Sequence, residues 1–230
     1  MNTHARVAVP ASTNMEMDSG LRLYFSTIYA HMTSGLAFTG AVAMLLAATG
    51  LTSALASSGL MWVFVFAPLL VALTLGFMSH QLSTSTSMMA FYVFAALMGI
   101  SLSTIFLVYA GTDIARVFFI TAGMFAAMSI WGYTTNRDLT KMGSFLIMGL
   151  IGIILASLVN LFIGGTMLQM IVSAVGVIVF TGLTAYDTQR LKSNYFEGAD
   201  YKDAMFGALS LYLNFINLFI NLLHIFGNKE

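Results

Sequence analysis

Apolar stretches of bilayer length recur along almost the whole chain, separated by short polar connections. Each is about 20 residues long, enough for one helix to cross the hydrocarbon core. The seven stretches cover residues 26–48, 60–78, 88–109, 114–133, 142–163, 167–186 and 205–226. Residues 1–25 are more polar, and we expect them to form a short, disordered cytosolic tail. The pattern predicts an all-α polytopic membrane protein with a single seven-helix transmembrane domain over residues 26–230.

The seventh stretch combines a bilayer-length apolar segment with a narrow polar stripe. On a helix that turns about 100° per residue, polar residues recurring every three or four positions share one face. These residues are Ser210, Asn214, Asn217, Asn221 and His224. Amide and imidazole groups are costly to expose to hydrocarbon, so this face must meet other helices or water. We therefore expect the seventh helix to lie at the centre of the bundle.

Composition supports the membrane interpretation and narrows the chemistry. Hydrophobic residues make up 59% of the chain and charged residues only 8%, whereas soluble domains carry about 25% charged residues. The formal net charge is zero, which gives no reason to expect a nucleic acid partner. The sequence contains no cysteine, so disulfides, thiolate metal sites and cysteine nucleophiles are excluded.

Basic residues in the connections indicate the orientation in the membrane. With the N-terminus in the cytoplasm, seven basic residues fall on the cytosolic side and two on the other. The cytosolic seven are Arg6, Arg22, Arg137, Lys141, Arg190, Lys192 and Lys202, and the other two are Arg116 and Lys229. Cytosolic loops are generally richer in lysine and arginine. The N-terminus is therefore predicted to be cytoplasmic and the C-terminus outside.

The sixth stretch carries a second polar stripe that includes Thr184 and ends at Asp187. We expect Asp187 to be the only carboxylate within the bundle, because the others, Asp113 among them, fall in predicted loops. Burying a carboxylate at mid-span costs about 2.5–3.5 kcal/mol, so a buried Asp187 would need a functional reason. Alternatively, Asp187 ends its helix and reaches cytosolic water beside Arg190. From the residues alone, the two interpretations are equally supported.

Motifs of membrane enzymes and of cofactor-binding membrane proteins are missing from the sequence. An intramembrane aspartyl protease would need a second acid in the bundle, and a zinc protease would need an HExxH motif. A retinal protein would need a lysine in the seventh stretch, which has none. We therefore expect a protein without catalytic activity, cofactor or resident metal ion.

Two neighbouring segments resemble the paired signature of a known family. They are TAYDTQRLK at 184–192 and GALSLYLNFINLF at 207–219. Together with ARVFFITAG and GYTTNRDLT in the middle of the chain, they are similar to bacterial members of the Bax inhibitor-1 family, the transmembrane Bax inhibitor motif proteins. The resemblance implies two three-helix groups surrounding the seventh helix.

The resemblance also implies a function, a calcium leak pathway that responds to pH. In the family this pathway is closed by two carboxylates between the sixth and seventh helices. Asp187 matches the first position, but Asn214 stands where the second is usually aspartate. Two close carboxylates share a proton, whereas an Asp–Asn pair has one titrating site. We expect a calcium-permeable leak gated around Asp187 and Asn214, with altered pH sensing and calcium bound only weakly in transit.

A second interpretation of the resemblance is a non-conducting regulator that binds a membrane protease or another membrane protein. Both interpretations place the chain in the bilayer, as an inner membrane protein of a bacterium. The polar residues of the sixth and seventh helices would line the pathway in the first interpretation. His31 is a secondary candidate for the pH sensor, because imidazole titrates near neutral pH.

Overall fold

The computed structural model describes residues 11–78, 82–196 and 201–229. Over these ranges the chain is helical, and no strand is present. The α-helices are α1 (Ala11–Ala48), α2 (Leu51–Ser57), α3 (Met61–Met78), α4 (Thr84–Leu102), α5 (Gly111–Thr134), α6 (Thr140–Ile163), α7 (Thr166–Phe196) and α8 (Tyr201–Phe226), and a 3₁₀ helix (Ser103–Leu107) extends α4. The predicted all-α fold is confirmed.

Six of these helices are long and apolar enough to cross a membrane, and a bent pair of helices brings the number to seven if the pair is counted as one span. The pair consists of α2 and α3, whose axes differ by 97° across a short break. Gly50 and Gly59 bracket α2 with φ angles of 74° and 76°, a left-handed conformation that glycine adopts at little cost. The second predicted stretch, residues 60–78, corresponds to α3.

The N-terminal boundary differs from the prediction of a disordered tail up to residue 25. Helix α1 begins at Ala11, and Leu21, Tyr24 and Phe25 are buried in the hydrophobic core. These three apolar residues recur at helical spacing, so they extend the buried face of α1 towards the N-terminus. Residues 1–10 of the predicted tail lie outside the described residues.

Helix α8 occupies the centre of the bundle, as its polar stripe predicts. In its most apolar 18-residue window 72% of the residues are buried, against 11–33% in the other five long spans. Helix α4 packs against α1 and α3, while α7 packs against α5 and α6. Helix α8 contacts α1 and α4 from the first group and α5 and α7 from the second. The arrangement agrees with two three-helix groups around a central helix.

Close helix packing within the first group depends on Gly99. A Cβ atom at Gly99 would lie 2.7 Å from the backbone oxygen of Thr39, so a larger residue would force α1 and α4 apart. The Thr39 hydroxyl also donates to the Ala95 carbonyl at 2.9 Å. Small residues serve this purpose in membrane bundles, because lipid supplies no hydrophobic drive between helices.

Candidate functional site

Asp187 lies on α7, is 7% exposed, and faces α8. Its Oδ2 atom accepts hydrogen bonds from the Ser210 hydroxyl and the Asn214 amide, each at 2.8 Å. The two donors are four residues apart and therefore share one face of α8. The Arg190 guanidinium, about half exposed, is 3.6 Å from the Oδ1 atom. We call these four residues the Asp187 cluster.

The Asp187 cluster lies deeper in the bundle than a helix-end aspartate would. Asn214 is 13 residues from the first residue of α8, Tyr201, and 12 from its last, Phe226. At 1.5 Å per residue, Asn214 is about 18–20 Å along the helix axis from either end of α8. Helix α7 continues to Phe196. Asp187 therefore does not end its helix, in contrast to the alternative in which it would reach cytosolic water from the helix end. The positively charged partner of Asp187 is Arg190, which lies one turn further along α7.

A chain of hydrogen-bonded hydroxyl groups includes Thr188, the residue that follows Asp187 on α7. The Thr188 hydroxyl donates to the Thr184 carbonyl at 2.8 Å, so its oxygen is left to accept from Ser129 at 3.0 Å. Ser129 in turn is hydrogen-bonded to the Tyr29 hydroxyl. The chain connects α1, α5 and α7; Ser129 and Thr188 are buried, and Tyr29 is partly buried. Sequence reasoning missed it, because its members come from three distant segments.

Two further side chains tie α7 to the connection between α5 and α6. The Gln189 amide donates to the Arg137 carbonyl at 2.8 Å, and its oxygen accepts from the Leu139 backbone at 2.9 Å. Lys192 donates to the Tyr133 carbonyl at 3.0 Å. We call this end of the bundle the Lys192 end. These contacts fix the position of α7 one turn beyond the Asp187 cluster.

Three other predicted polar residues of the α7/α8 interface donate hydrogen bonds to backbone carbonyls of their own helices. Thr184 donates to the Phe180 carbonyl, Asn217 to the Leu213 carbonyl and Asn221 to the Asn217 carbonyl, at 2.7–2.8 Å. Asn221 also packs on Gly176, where a Cβ atom would lie only 2.5 Å from the amide oxygen. The interface is therefore closed, with helices in direct contact.

His224 belongs to a polar network near the last turn of α8. Its Nδ1 atom is 3.0 Å from the Gln169 amide nitrogen and 3.4 Å from the Ser173 hydroxyl. Gln169 also accepts a hydrogen bond from the Asn160 amide at 3.0 Å. The network links α6, α7 and α8 about one membrane leaflet away from the Asp187 cluster.

His31 lies apart from the Asp187 cluster. Its ring nitrogens are 2.7 Å from the Tyr201 hydroxyl and 3.4 Å from the Tyr92 hydroxyl. Tyr201 is the first residue of α8, whereas the Asp187 cluster contacts the middle of that helix. The structure therefore brings together Asp187, Asn214, Ser210 and Arg190 and places His31 elsewhere.

Asp113 corrects the expectation that Asp187 is the only carboxylate within the bundle. It lies in the first turn of α5 and is 8% exposed. Its Oδ2 atom accepts from the backbone and the side-chain amide of Asn228, both at 2.9 Å, and Arg116 is 3.4 Å from its Oδ1 atom. The predicted fourth stretch began one residue later, so Asp113 looked like a loop residue. We call this the Asp113 end of the bundle.

Comparison with known proteins identifies the family. The profile of the family described as "Inhibitor of apoptosis-promoting Bax1" matches residues 21–230. The protein RP147 of Rickettsia prowazekii is 41% identical over the full length of both chains. The inner membrane protein YbhL of Escherichia coli K12 is 45% identical over 92% of this chain and 94% of its own. A membrane protein of Streptococcus pyogenes, SpyM3_0260, is 35% identical over 94% of this chain and 96% of its own.

The match covers α1 from residue 21 onwards and all the later helices, and so includes the Asp187 cluster and the central α8. It agrees with the membrane-spanning lengths of the helices and with the inner membrane assignment of the Escherichia coli relative. This chain is therefore an integral membrane protein that belongs to the Bax inhibitor-1 family.

Proposed function

We propose that this protein is a calcium-permeable leak pathway of the bacterial inner membrane, without catalytic activity, gated by the Asp187 cluster. The observation that carries the proposal is a buried carboxylate on α7 that contacts the middle of the central helix α8. A charge at this depth is costly and in membrane proteins generally marks an ion pathway or a relay. Here the carboxylate is the acceptor that joins α7 to α8, so breaking its contacts would separate these helices.

The proposed pathway runs from the Asp187 cluster along the α7/α8 interface towards the Asp113 end. The polar groups along it are Thr184, Asn217 and Asn221, followed by the His224 network. In the closed form they are satisfied by hydrogen bonds within the protein. Separation of α7 from α8 would expose amide and carbonyl oxygens to an ion.

The oxygen atoms along this pathway are better suited to weak binding of a passing calcium ion than to a stable calcium site. Calcium takes about 6–8 oxygen ligands in stable sites, usually with several carboxylates. The Asp187 cluster offers one carboxylate, which is already engaged by two donors and by Arg190. Calcium would be bound weakly, through amide oxygens and water, as conduction requires.

Calcium flux into liposomes tests the proposal directly. Liposomes that contain the purified protein and a calcium dye are expected to fill faster than protein-free liposomes. The variant Ser210→Ala removes one of the two hydrogen bonds from α8 to Asp187. A hydrogen bond to a charged group contributes about 1.5–3 kcal/mol, so the open fraction should rise about tenfold or more while it remains small.

The matched control for this variant is Ser144→Ala on α6. Ser144 is exposed, and the bond of its hydroxyl is to the Thr140 carbonyl of its own helix. The control should conduct like the natural protein. Flux equal to that of protein-free liposomes, in both the natural protein and Ser210→Ala, would contradict the leak proposal.

A regulator that binds another membrane protein is the second candidate, favoured by one observation on α6. This helix is the least buried of the long spans, with 11% of its most apolar window buried. Gly152 faces outward, and a Cβ atom there would meet no atom within 4 Å. An open small residue on a lipid-facing helix permits close approach of a partner helix. Absence of flux in liposomes would favour this candidate.

We also propose that the Lys192 end faces the cytoplasm, because most of the basic residues belong to it. In intact cells, a cysteine introduced by Ser193→Cys should resist an impermeant thiol reagent applied from outside. Lys229 is exposed at the opposite end of the bundle, and a cysteine introduced there by Lys229→Cys should react. The background is clean because the natural chain has no cysteine. The reverse labelling pattern would invert the orientation.

A further inference from the structure

Helices α1 and α5 leave a cavity between them where the two three-helix groups meet. Its volume is about 1010 Å³, and Phe215 of the central helix forms part of its wall. Met44 on α1 and Ile130 on α5 line the cavity and are exposed. The cavity therefore opens towards the outside of the bundle, which in a membrane-spanning protein is the region of the lipid acyl chains. Asp187 does not line it.

The chemistry of the cavity wall changes along its length. Most of the wall is apolar, with residues such as Met32, Leu36 and Phe118. Polar groups collect towards the Lys192 end, where Arg22, Tyr29 and Ser129 contribute to the lining. Arg22 is exposed. The cavity is thus amphipathic, with a cationic end and an apolar body.

The dimensions of the cavity match one leaflet of a bilayer. On α5 it runs from Tyr133 to Phe118, which are 15 residues apart and hence about 22 Å apart along the axis. One leaflet, with its headgroup region included, is about 20–22 Å thick. A second cavity of about 340 Å³ shares Leu36, Gly40 and Phe118 with the first and extends it towards the Asp113 end.

The hydroxyl chain gives the cavity a hydrogen-bond acceptor and a connection to α7. Because the Thr188 proton is used by the Thr184 carbonyl, Ser129 donates to Thr188 and Tyr29 donates to Ser129. The Tyr29 oxygen is left with lone pairs at the cavity wall. An occupant of the cavity would contact Tyr29 and Ser129, which line it. These side chains are connected by hydrogen bonds to Thr188, the residue next to Asp187.

We propose that this cavity binds one phospholipid from the bilayer. The phosphate pairs with Arg22, since guanidinium groups form strong charge-assisted hydrogen bonds with phosphate. One acyl chain lies along the apolar body between α1 and α5 and contacts Phe215. A hydroxyl of the headgroup can donate to the Tyr29 oxygen. The proposal rests on the cavity and its charge, and it stands whether or not the protein conducts calcium.

Native mass spectrometry of the protein released from nanodiscs tests this site. The nanodiscs contain equal parts of dioleoyl phosphatidylglycerol and dioleoyl phosphatidylcholine. One phospholipid per chain should survive release of the natural protein. In Gly40→Leu the new side chain projects into the cavity, because a Cβ atom there meets nothing within 4 Å, and retention should fall at least about tenfold. Arg22→Gln should also reduce retention about tenfold, and Arg22→Lys should restore part of it.

Gly123→Leu on α5 is the matched control. Gly123 also has open space around a Cβ atom but does not line the cavity, so retention should equal that of the natural protein. Thermal unfolding of each variant in detergent shows that the helices still assemble. Equal retention in the natural protein, Gly40→Leu and Arg22→Gln, or no retained phospholipid in any of them, would overturn the proposal.

Discussion

The variant Asn214→Asp is expected to make the proposed leak depend on pH. It places a second carboxylate against Asp187, where the Asn214 amide now donates at 2.8 Å. Two unit charges 4 Å apart repel by about 4 kcal/mol at an effective dielectric constant of 20, before relaxation. Even a third of this repulsion changes an equilibrium about tenfold. When both acids are ionised, α7 and α8 are pushed apart, whereas one shared proton joins them again.

The expected result is therefore a calcium flux that falls as the pH is lowered across about pH 8–5. Liposomes with a calcium dye measure it. The control is the exchanged pair, Asp187→Asn combined with Asn214→Asp, which has one acid at the same contact and should lose the new pH dependence. Arg190, 3.6 Å from Asp187, is present in both proteins. A pH profile identical to that of the natural protein would contradict the prediction and make His31 the next residue to test.

Gly132→Ala is expected to destabilise the packing of α5 on α7. A Cβ atom at Gly132 would lie 2.8 Å from the Cα atom of Ala185 and closer still to its carbonyl oxygen. Backbone atoms cannot rotate away as a side chain can, so the helices must separate. Overpacking of this kind costs about 1–3 kcal/mol, and the thermal midpoint in detergent should fall by about 2–12 °C. Ala185 is two residues from Asp187, so a raised calcium leak should accompany the loss of stability.

Gly123→Ala is the control on the same helix. A Cβ atom at Gly123 would contact nothing within 4 Å, and alanine favours the helix by up to about 1 kcal/mol over glycine. Its thermal midpoint should be unchanged or slightly raised. Equal midpoints for the two variants would show that α5 and α7 do not approach as closely as the structure describes.

The central helix could be predicted from the sequence because the necessary information is local. Ser210 and Asn214 are four residues apart, so helical geometry alone puts them on one face, and the apolar surroundings require that face to be buried. Their partner Asp187 was predicted from the resemblance and from its place on the neighbouring stripe. The structure adds the position of Asp187 along its helix. That position could not be predicted, because α7 extends to Phe196, beyond the end of the apolar segment at residue 186.

Other features depend on contacts between distant segments and could not be predicted from spacing. Asp113 is buried because the segment after α8 folds back onto it and supplies Asn228. The Tyr29–Ser129 contact joins residues 100 positions apart. The turns on either side of α2 depend on glycine conformations at Gly50 and Gly59, which composition does not reveal. In each case the sequence shows the residue type but not its partner.

The position of α8 has a consequence for the order of biosynthesis. Translation proceeds from the N-terminus at about 5–20 residues per second, so the central helix leaves the ribosome after the helices that surround it. For some seconds the two outer groups exist in the membrane without the helix on which both pack, and Asp187 lacks the donors that satisfy it. Insertion of α8 is then the step that completes the core and supplies hydrogen-bond donors to the exposed carboxylate. A nascent chain that stops before Tyr201 would present this unfinished surface to the quality-control proteases of the membrane.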